Sequence, residues 1–581
     1  MQKAKYFLIL KVLVLSFYAK GQNIGGIDGL GRTIPQQTEV GKSKPNKTVA
    51  IFYFLWQGDA ASPTSEDVYD LSKLWDTSPE TFEDFGHPGW GGGAGREGKY
   101  YFWGEPVWGY YAGTDYWVHL KNMQLLTDAG VDILVLDATN HLTYPNQTRA
   151  LLKAIKEVRS QRANAPKIVF YTNTLSASAM QIIYDNVYKE GGSLRDPASW
   201  HYLDGKPLII GRSKEAAGKD YESFFTIRES QWPNEPQVEN GWPWISFTRP
   251  PKVHYNAAGK AEIINVSASQ HPNLDASMGG SAFYGASGNW GRSYRNGDPG
   301  DPKKDIKYGY NIQEQWDYAL QQDLPYVFVT GWNEWIAGKW KRASGNPNHA
   351  HFVDQANGEY SRDLEPTYTD GLEDHYYMQL ISNIRRYKGI NALQILSAPK
   401  SISNWQDWQS VSPEYKDYVG DVAHRDHPSG LSQPKITYTN TTGRNDINLM
   451  KVARDARNIY FYVETVNPIT SKSQDDWMTL WINTDLSKKS GWNGYSYRIN
   501  HTDHLQQYVN NKWVNKVKVV RKTEGTKMMI QLQLSDLALK SSDLNFEFKW
   551  TDNATGSEIL DWYKNGDVAP NGRLNYIVKG R

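Results

Sequence analysis

Three observations predict an α/β chain built as a (β/α)8-type TIM barrel followed by a C-terminal antiparallel β-sandwich. Single apolar, β-branched segments alternate with amphipathic helical patterns over roughly 350 residues, which implies a parallel sheet repeated often enough to close. Beyond Lys400 the segments become short and alternating with no helical pattern between them, as in a sandwich. Finally, Tyr326-Val-Phe-Val-Thr330 has the composition of a buried parallel strand and runs directly into Gly331-Trp332-Asn333-Glu334-Trp335. A carboxylate flanked by an amide and two indoles then sits at a strand's C-terminal tip, the end where such barrels carry their chemistry.

In chain order, Lys3 and Lys5 precede an apolar run from Tyr6 to Phe17, interrupted by Lys11, and Ala19-Lys20-Gly21 offers small residues for cleavage. That is the pattern of an export signal over 1–21 with cleavage near Gly21, and it predicts a periplasmic or secreted protein. The run is too short for an anchor, and no later segment reaches membrane-spanning length. A polar, Gly-rich leader (22–48) follows. Strands are expected at Val49–Trp56, Ile133–Thr139, Lys167–Asn173, Leu208–Gly211, Trp244–Arg249, Ile264–Gln270 and Tyr326–Thr330. Helices are expected at Tyr116–Ala129, Arg149–Arg162, Ala177–Glu190, Ile312–Gln322 and Tyr376–Tyr387. Seven strands are placed and an eighth is not. A doubly wound open sheet is the alternative, but no Gly-rich phosphate turn follows the first strand. Two inserts, Gly86–Tyr111 with Trp90, Trp103 and Trp108, and Gly285–Pro302 with Trp290, Arg292 and Arg295, are rich in aromatics, as functional loops are. The pattern changes near Ala392–Pro399, which sets a barrel domain at 49–395 and a sandwich at 400–581. Sandwich strands are expected at Ile459–Val466, Trp477–Asn483, Tyr495–Asn500, Met528–Leu534 and Leu544–Thr551.

At 581 residues the chain exceeds one ordinary core, consistent with two domains. Aromatics make up 13%, with 23 Trp and 37 Tyr, an excess that suits grooves binding sugar rings through their C–H faces. A net charge of +1 gives no global field for nucleic acid or a membrane surface. The absence of Cys excludes disulfides and thiolate metal sites. The barrel half holds no His-x-x-x-His and no EF-hand loop, and no cofactor motif occurs. His349-Ala-His351 lies in a polar loop and is expected at the surface. The expectation is a monomer with an oligosaccharide or polysaccharide substrate, no metal and no cofactor.

Candidate site residues are those at strand tips: Trp56, Asp137 with Asn140, Asn173, Arg249, Gln270 with His271, and Trp332, Asn333, Glu334 and Trp335, with Lys339 just beyond. An acid, a His, two Asn and an Arg at one end of one barrel make a site. Glu334, Asp137 and His271 are the catalytic candidates, and the others are candidates for binding substrate. Basic residues near the mouth (Arg249, Arg292, Arg295, Lys339, Lys341, Arg342) favour an anionic glycan.

The Trp-Asn-Glu-Trp motif on a late barrel strand resembles glycoside hydrolase family 99 and the related 99-like (WbsX-type) and family 71 proteins, and Asp363-Leu-Glu-Pro366 looks like the Glu-Pro segment that follows it there. The likeness covers roughly Val49 to Tyr387. It implies a retaining glycosidase with a Glu-Trp-x-Glu pair, whose first member falls on Glu334 and whose second position is Ala337. An ordinary glycosidase needs two carboxyl groups, and Ala337 supplies none. Residues 400–581 separately resemble family 9-like carbohydrate-binding modules through Asn404-Trp-Gln-Asp-Trp408, Asn458-Ile-Tyr-Phe-Tyr462 and Trp477-Met-Thr-Leu-Trp-Ile-Asn-Thr-Asp485.

Three functions follow. The leading expectation is an exported glycosidase degrading an acidic (uronic or sulfated) glycan, with Asp137 recruited beside Glu334. Asp137 closes the apolar run Val131–Leu136, where a charge is costly unless paired or functional. The alternative is a dehydratase or lyase eliminating across C4–C5 of a uronate, with His271 or a Tyr as base and Asn140, Asn173 and Arg249 stabilising the enolate. The third is a non-catalytic glycan-binding protein on a degenerate barrel.

Overall fold

The computed structural model describes residues 23–58, 70–272, 289–341, 348, 350–352, 357–430, 436–473, 476–486, 490–556 and 558–580. The expected export signal, Arg342 and His349 lie outside these residues, as does the side chain of His351.

Eight parallel strands form the barrel: β1 (Thr48–Tyr53), β2 (Ile133–Ala138), β3 (Lys167–Thr172), β4 (Lys206–Gly211), β5 (Thr226–Gln231), β6 (Gly241–Pro243), β7 (Ala261–Ser267) and β8 (Tyr326–Thr330). They pair in chain order from β1 to β6 and from β7 to β8, and β8 returns to β1. Between β6 and β7 the links are made by side chains, with Asn265 Nδ2 donating to Pro243 O at 2.7 Å and Trp242 Nε1 to Glu262 Oε2 at 2.8 Å. The result is a nearly closed barrel. Alternation does the sorting: Ala50 and Phe52 of β1 face the lumen with Val135, Tyr171, Ile210 and Phe328, while Val49, Ile51 and Tyr53 face the helical layer.

The longer helices are α1 (Tyr116–Ala129), α2 (Pro145–Gln161), α3 (Ser176–Ile183), α4 (Tyr310–Gln322) and α5 (His375–Lys388). Helix α1 starts where Asp115 accepts from the N–H groups of Trp117 and Val118, and it ends at left-handed Gly130 (φ 85°). Among the described residues, no helix is long and apolar enough to cross a membrane.

Two corrections concern the sheet. The unplaced strand is β5, whose Thr-Ile-Arg-Glu-Ser-Gln sequence shows no apolar run. Its middle and end are buried all the same, and Arg228 makes a bidentate pair with Glu262 of β7 at 2.7 Å on both arms. Trp244–Arg249 is not a strand. The strand is the three residues before it, and Trp244–Arg249 leaves β6 as a loop over the mouth.

After β8 the chain turns through Gly331–Trp335 and enters Ile336–Lys341, which pairs with Lys99–Phe102 and Ala350–Phe352 as a three-stranded cap. The C-terminal half forms two antiparallel sheets enclosing Phe461, Leu480, Ile530, Phe548 and Trp550. Ile24–Gly26 pairs with Leu574–Lys579, so the segment before the barrel serves as a strand of the sandwich.

Candidate active site

Because all eight strands run parallel, their C-terminal ends share one rim, which carries Asp137 near the end of β2 and Trp56, Asn173, Trp232, Trp244, His271 and Glu334 on the segments that follow their strands. At the rim Glu334 is buried and ion-paired with Arg362, whose Nη2 donates to Glu334 Oε2. Nη1 of Arg362 lies 3.3 Å from His271 Nδ1, and the guanidinium rests over the Trp244 ring at 5.0 Å. Phe247 packs edge-on against the His271 imidazole with centroids 4.7 Å apart. A guanidinium only donates, so Nδ1 accepts and the neutral imidazole carries its proton on Nε2. Glu334, Arg362 and His271 therefore form one connected, dry, charged cluster on an aromatic floor.

Arg362 was missed at the level of sequence, although it immediately precedes the Asp363-Leu-Glu-Pro366 motif. Its segment lies beside the turn after β8: Gly331 N donates to Arg362 O (3.1 Å) and Leu364 N to Trp332 O (3.1 Å). The neighbouring Asp363 is a further carboxyl there, and burial pushes its pKa up.

Asp137 is half-buried at the tip of β2, with Oδ1 accepting from Thr139 N at 3.0 Å. Asn173 bridges β3 and β5, donating to Ser230 Oγ (2.7 Å) and accepting from Trp232 Nε1 (2.9 Å). Asn140 is exposed. Trp56 is half-buried, meets Tyr100 edge-on at 5.6 Å, and leaves its Nε1 without a hydrogen-bond partner.

Other expected ligand contacts are corrected. Trp332 and Trp335 are both fully buried, Trp332 against Tyr377 and Trp335 against Phe102, Tyr110 and Tyr111, so neither indole offers a face to a sugar. Asn333 ties the turn to β1, accepting from Phe54 N (2.9 Å) and donating to Phe54 O (3.2 Å) and Tyr111 Oη (3.0 Å). Lys339 is buried beneath the cap, where Nζ donates to Phe85 O at 2.9 Å and desolvation lowers its pKa to about 8. Gln270 is buried with Nε2 on Ser246 O. Arg249 is engaged by Asn311 and by Glu314 (2.7 Å) and stacks over Tyr294. The basic rim is correspondingly smaller than expected, since Arg292 is also buried, donating to Gly358 O and Asp363 O. Ala337 lies in the cap opposite Tyr101 and is buried.

Glu365 of the Glu-Pro segment is buried on the α1 side of β1. It accepts from Trp108 Nε1 (2.7 Å), Tyr111 Oη (3.0 Å) and Asn122 Nδ2 (3.0 Å), and desolvation raises its pKa to about 8. Saturated in this way, it is a structural group.

No family model and no curated protein matches the chain. Among solved structures, it is similar to the GH99 endo-α-mannosidase from Bacteroides thetaiotaomicron. In complex with bis-tris-propane that enzyme aligns at 13% identity with a TM-score of 0.33, over 58% of this chain and 97% of that chain. A second structure of it aligns at 15% identity with a TM-score of 0.34 over the same shares. The functional reading therefore stands on the geometry of the mouth.

Proposed function

We propose that the chain is a carbohydrate-active enzyme working at the barrel mouth, a glycosidase acting on an acidic oligo- or polysaccharide. The observation that carries this reading is the buried Glu334–Arg362–His271 cluster over Trp244. A carboxylate held by a guanidinium stays ionised, which suits a nucleophile or base at an anomeric centre and not a proton donor. Asp137, on the same rim, is the carboxyl assigned to protonate the leaving oxygen. Trp56 and Asn173 are the contacts assigned to sugar hydroxyls. The sandwich is assigned a supporting role in holding polymer, so a chain ending near Ala398 should keep activity on short substrates if it folds.

Elimination from a uronate is the second reading, favoured by the burial of Ala337 in the cap, which leaves no carboxyl at that position. Against it stands the His271 tautomer, because an imidazole whose Nδ1 is occupied and whose Nε2 bears the proton is not poised as a base. The test is to incubate the protein with acidic and neutral oligosaccharides and weigh the products. Cleavage with gain of water supports hydrolysis. Loss of water without cleavage, or cleavage without gain of water accompanied by rising ultraviolet absorbance, overturns it in favour of elimination. Under hydrolysis, Asp137→Asn abolishes turnover and His271→Ala leaves a remnant; the reverse weighting supports elimination.

A further inference from the structure

A second charged cluster lies where the segment leaving the barrel meets the sandwich. Asp421, Asp446 and Asp567 come from three separate segments and each offers a carboxylate oxygen, all within 4.8 Å of one another. All three residues are buried, Asp567 being 1% and Asp421 3% exposed. One oxygen of each is already held: Asp446 Oδ2 by Gly420 N (2.9 Å), Asp567 Oδ2 by Ile447 N (2.6 Å) and Asp421 Oδ2 by Lys121 Nζ of α1 (3.3 Å). Their three Oδ1 atoms are buried and have no hydrogen-bond partner. A fourth carboxylate, Asp417, is 4% exposed and lies beside this group, sharing a hydrogen bond with Asp567 and repelled by Asp421.

Three buried carboxylate oxygens without donors, close to one another, are a costly arrangement in a dry site unless something positive lies among them. The charges nearby do not supply it. Lys121 is spent on Asp421, Lys549 donates to Pro570 O and Gly572 O, and Arg162 donates to the carbonyls of Lys416 and Asp417. With Asp128 also buried alongside, carboxylates outnumber these cations.

We propose that Asp421, Asp446 and Asp567 form a structural site for one divalent cation, Ca2+, which ties the 415–425 segment to the sandwich. The donors are all oxygen, which excludes a preference for the softer transition metals. Several buried carboxylates with little room for retained water suit Ca2+ over Mg2+, which gives up its waters reluctantly. The cation would do at this junction what the lysine does for Asp421 alone.

The test uses the full chain, stripped with EDTA, dialysed, and titrated with CaCl2 by calorimetry and thermal unfolding. One Ca2+ per chain is expected, with a melting temperature at least about 4 °C higher in a hundredfold excess over Kd than in EDTA. Asp446→Asn keeps an acceptor for the Gly420 N–H and removes one charge, so it should weaken Ca2+ binding at least about tenfold. Zero stoichiometry in the parent protein overturns the proposal, because protons and not a cation then neutralise the cluster. Ca2+ binding unchanged in Asp446→Asn also overturns it, by placing the ion elsewhere. If that variant fails to fold, Asp567→Asn is read in its place by the same criterion.

Discussion

Replacing Arg362 with Met removes the guanidinium from Glu334 and His271 while keeping an unbranched side chain over Trp244. Both charged side chains are nearly excluded from water, at 2% exposure for Arg362 and 8% for Glu334, so solvent screening offers little relief. A hydrogen bond to a charged group contributes about 1.5–3 kcal/mol, which sets the lower bound of the loss. Protonation sets how the loss depends on pH. Whatever else touches Glu334, the folded chain can always neutralise it, and from an ordinary pKa near 4.3 that costs about 3.7 kcal/mol at pH 7 and about 1 kcal/mol at pH 5. Chemical denaturation of Arg362→Met should therefore show a loss of at least about 1.5 kcal/mol at pH 7 that shrinks toward pH 5. Adding Glu334→Gln should recover most of it, because the carboxylate that the cation served is gone. A loss under about 1 kcal/mol at pH 7, or one independent of pH, would refute the reasoning that this pair holds Glu334 ionised.

Glu334→Gln on its own should lower turnover at least about a hundredfold on any accepted substrate with the fold retained by circular dichroism; activity within a few-fold of the parent removes Glu334 from the mechanism. Glu365, with its pKa raised to about 8 in the folded chain, binds a proton that the unfolded chain releases near the ordinary carboxylate value. Its contribution is thus fully present below that value and is lost as pH rises to about 8, so Glu365→Gln should flatten the decline in stability measured between pH 5 and 8. Lys339→Met should leave KM within a few-fold of the parent, since Nζ is turned onto Phe85 O beneath the cap; a large rise in KM would return Lys339 to the mouth.

Much of the fold was legible because burial imposes a period on the sequence. Strands β1 to β3, β7 and β8 and helices α1 and α5 follow apolar patterns that the barrel's two layers require. The position of Glu334 after the last strand followed from the same pattern, since a parallel strand fixes which end its exit faces. Strand β5 did not show, because its buried Arg228 is paired with Glu262, a pairing across the sheet that no local window contains. The roles of Trp332, Asn333 and Trp335 were also beyond the sequence. Past the end of a strand the alternation of faces stops, and only the turn into the cap decides that the two indoles point into packed aromatics. Arg362 reaches Glu334, and Asp567 reaches Asp421 and Asp446, across long stretches of chain. Composition and spacing determined the layers and the end of the barrel at which the candidate residues gather. Which charges are paired, and which carboxylate oxygens are left facing one another, was decided only when tertiary packing removed the water from between them.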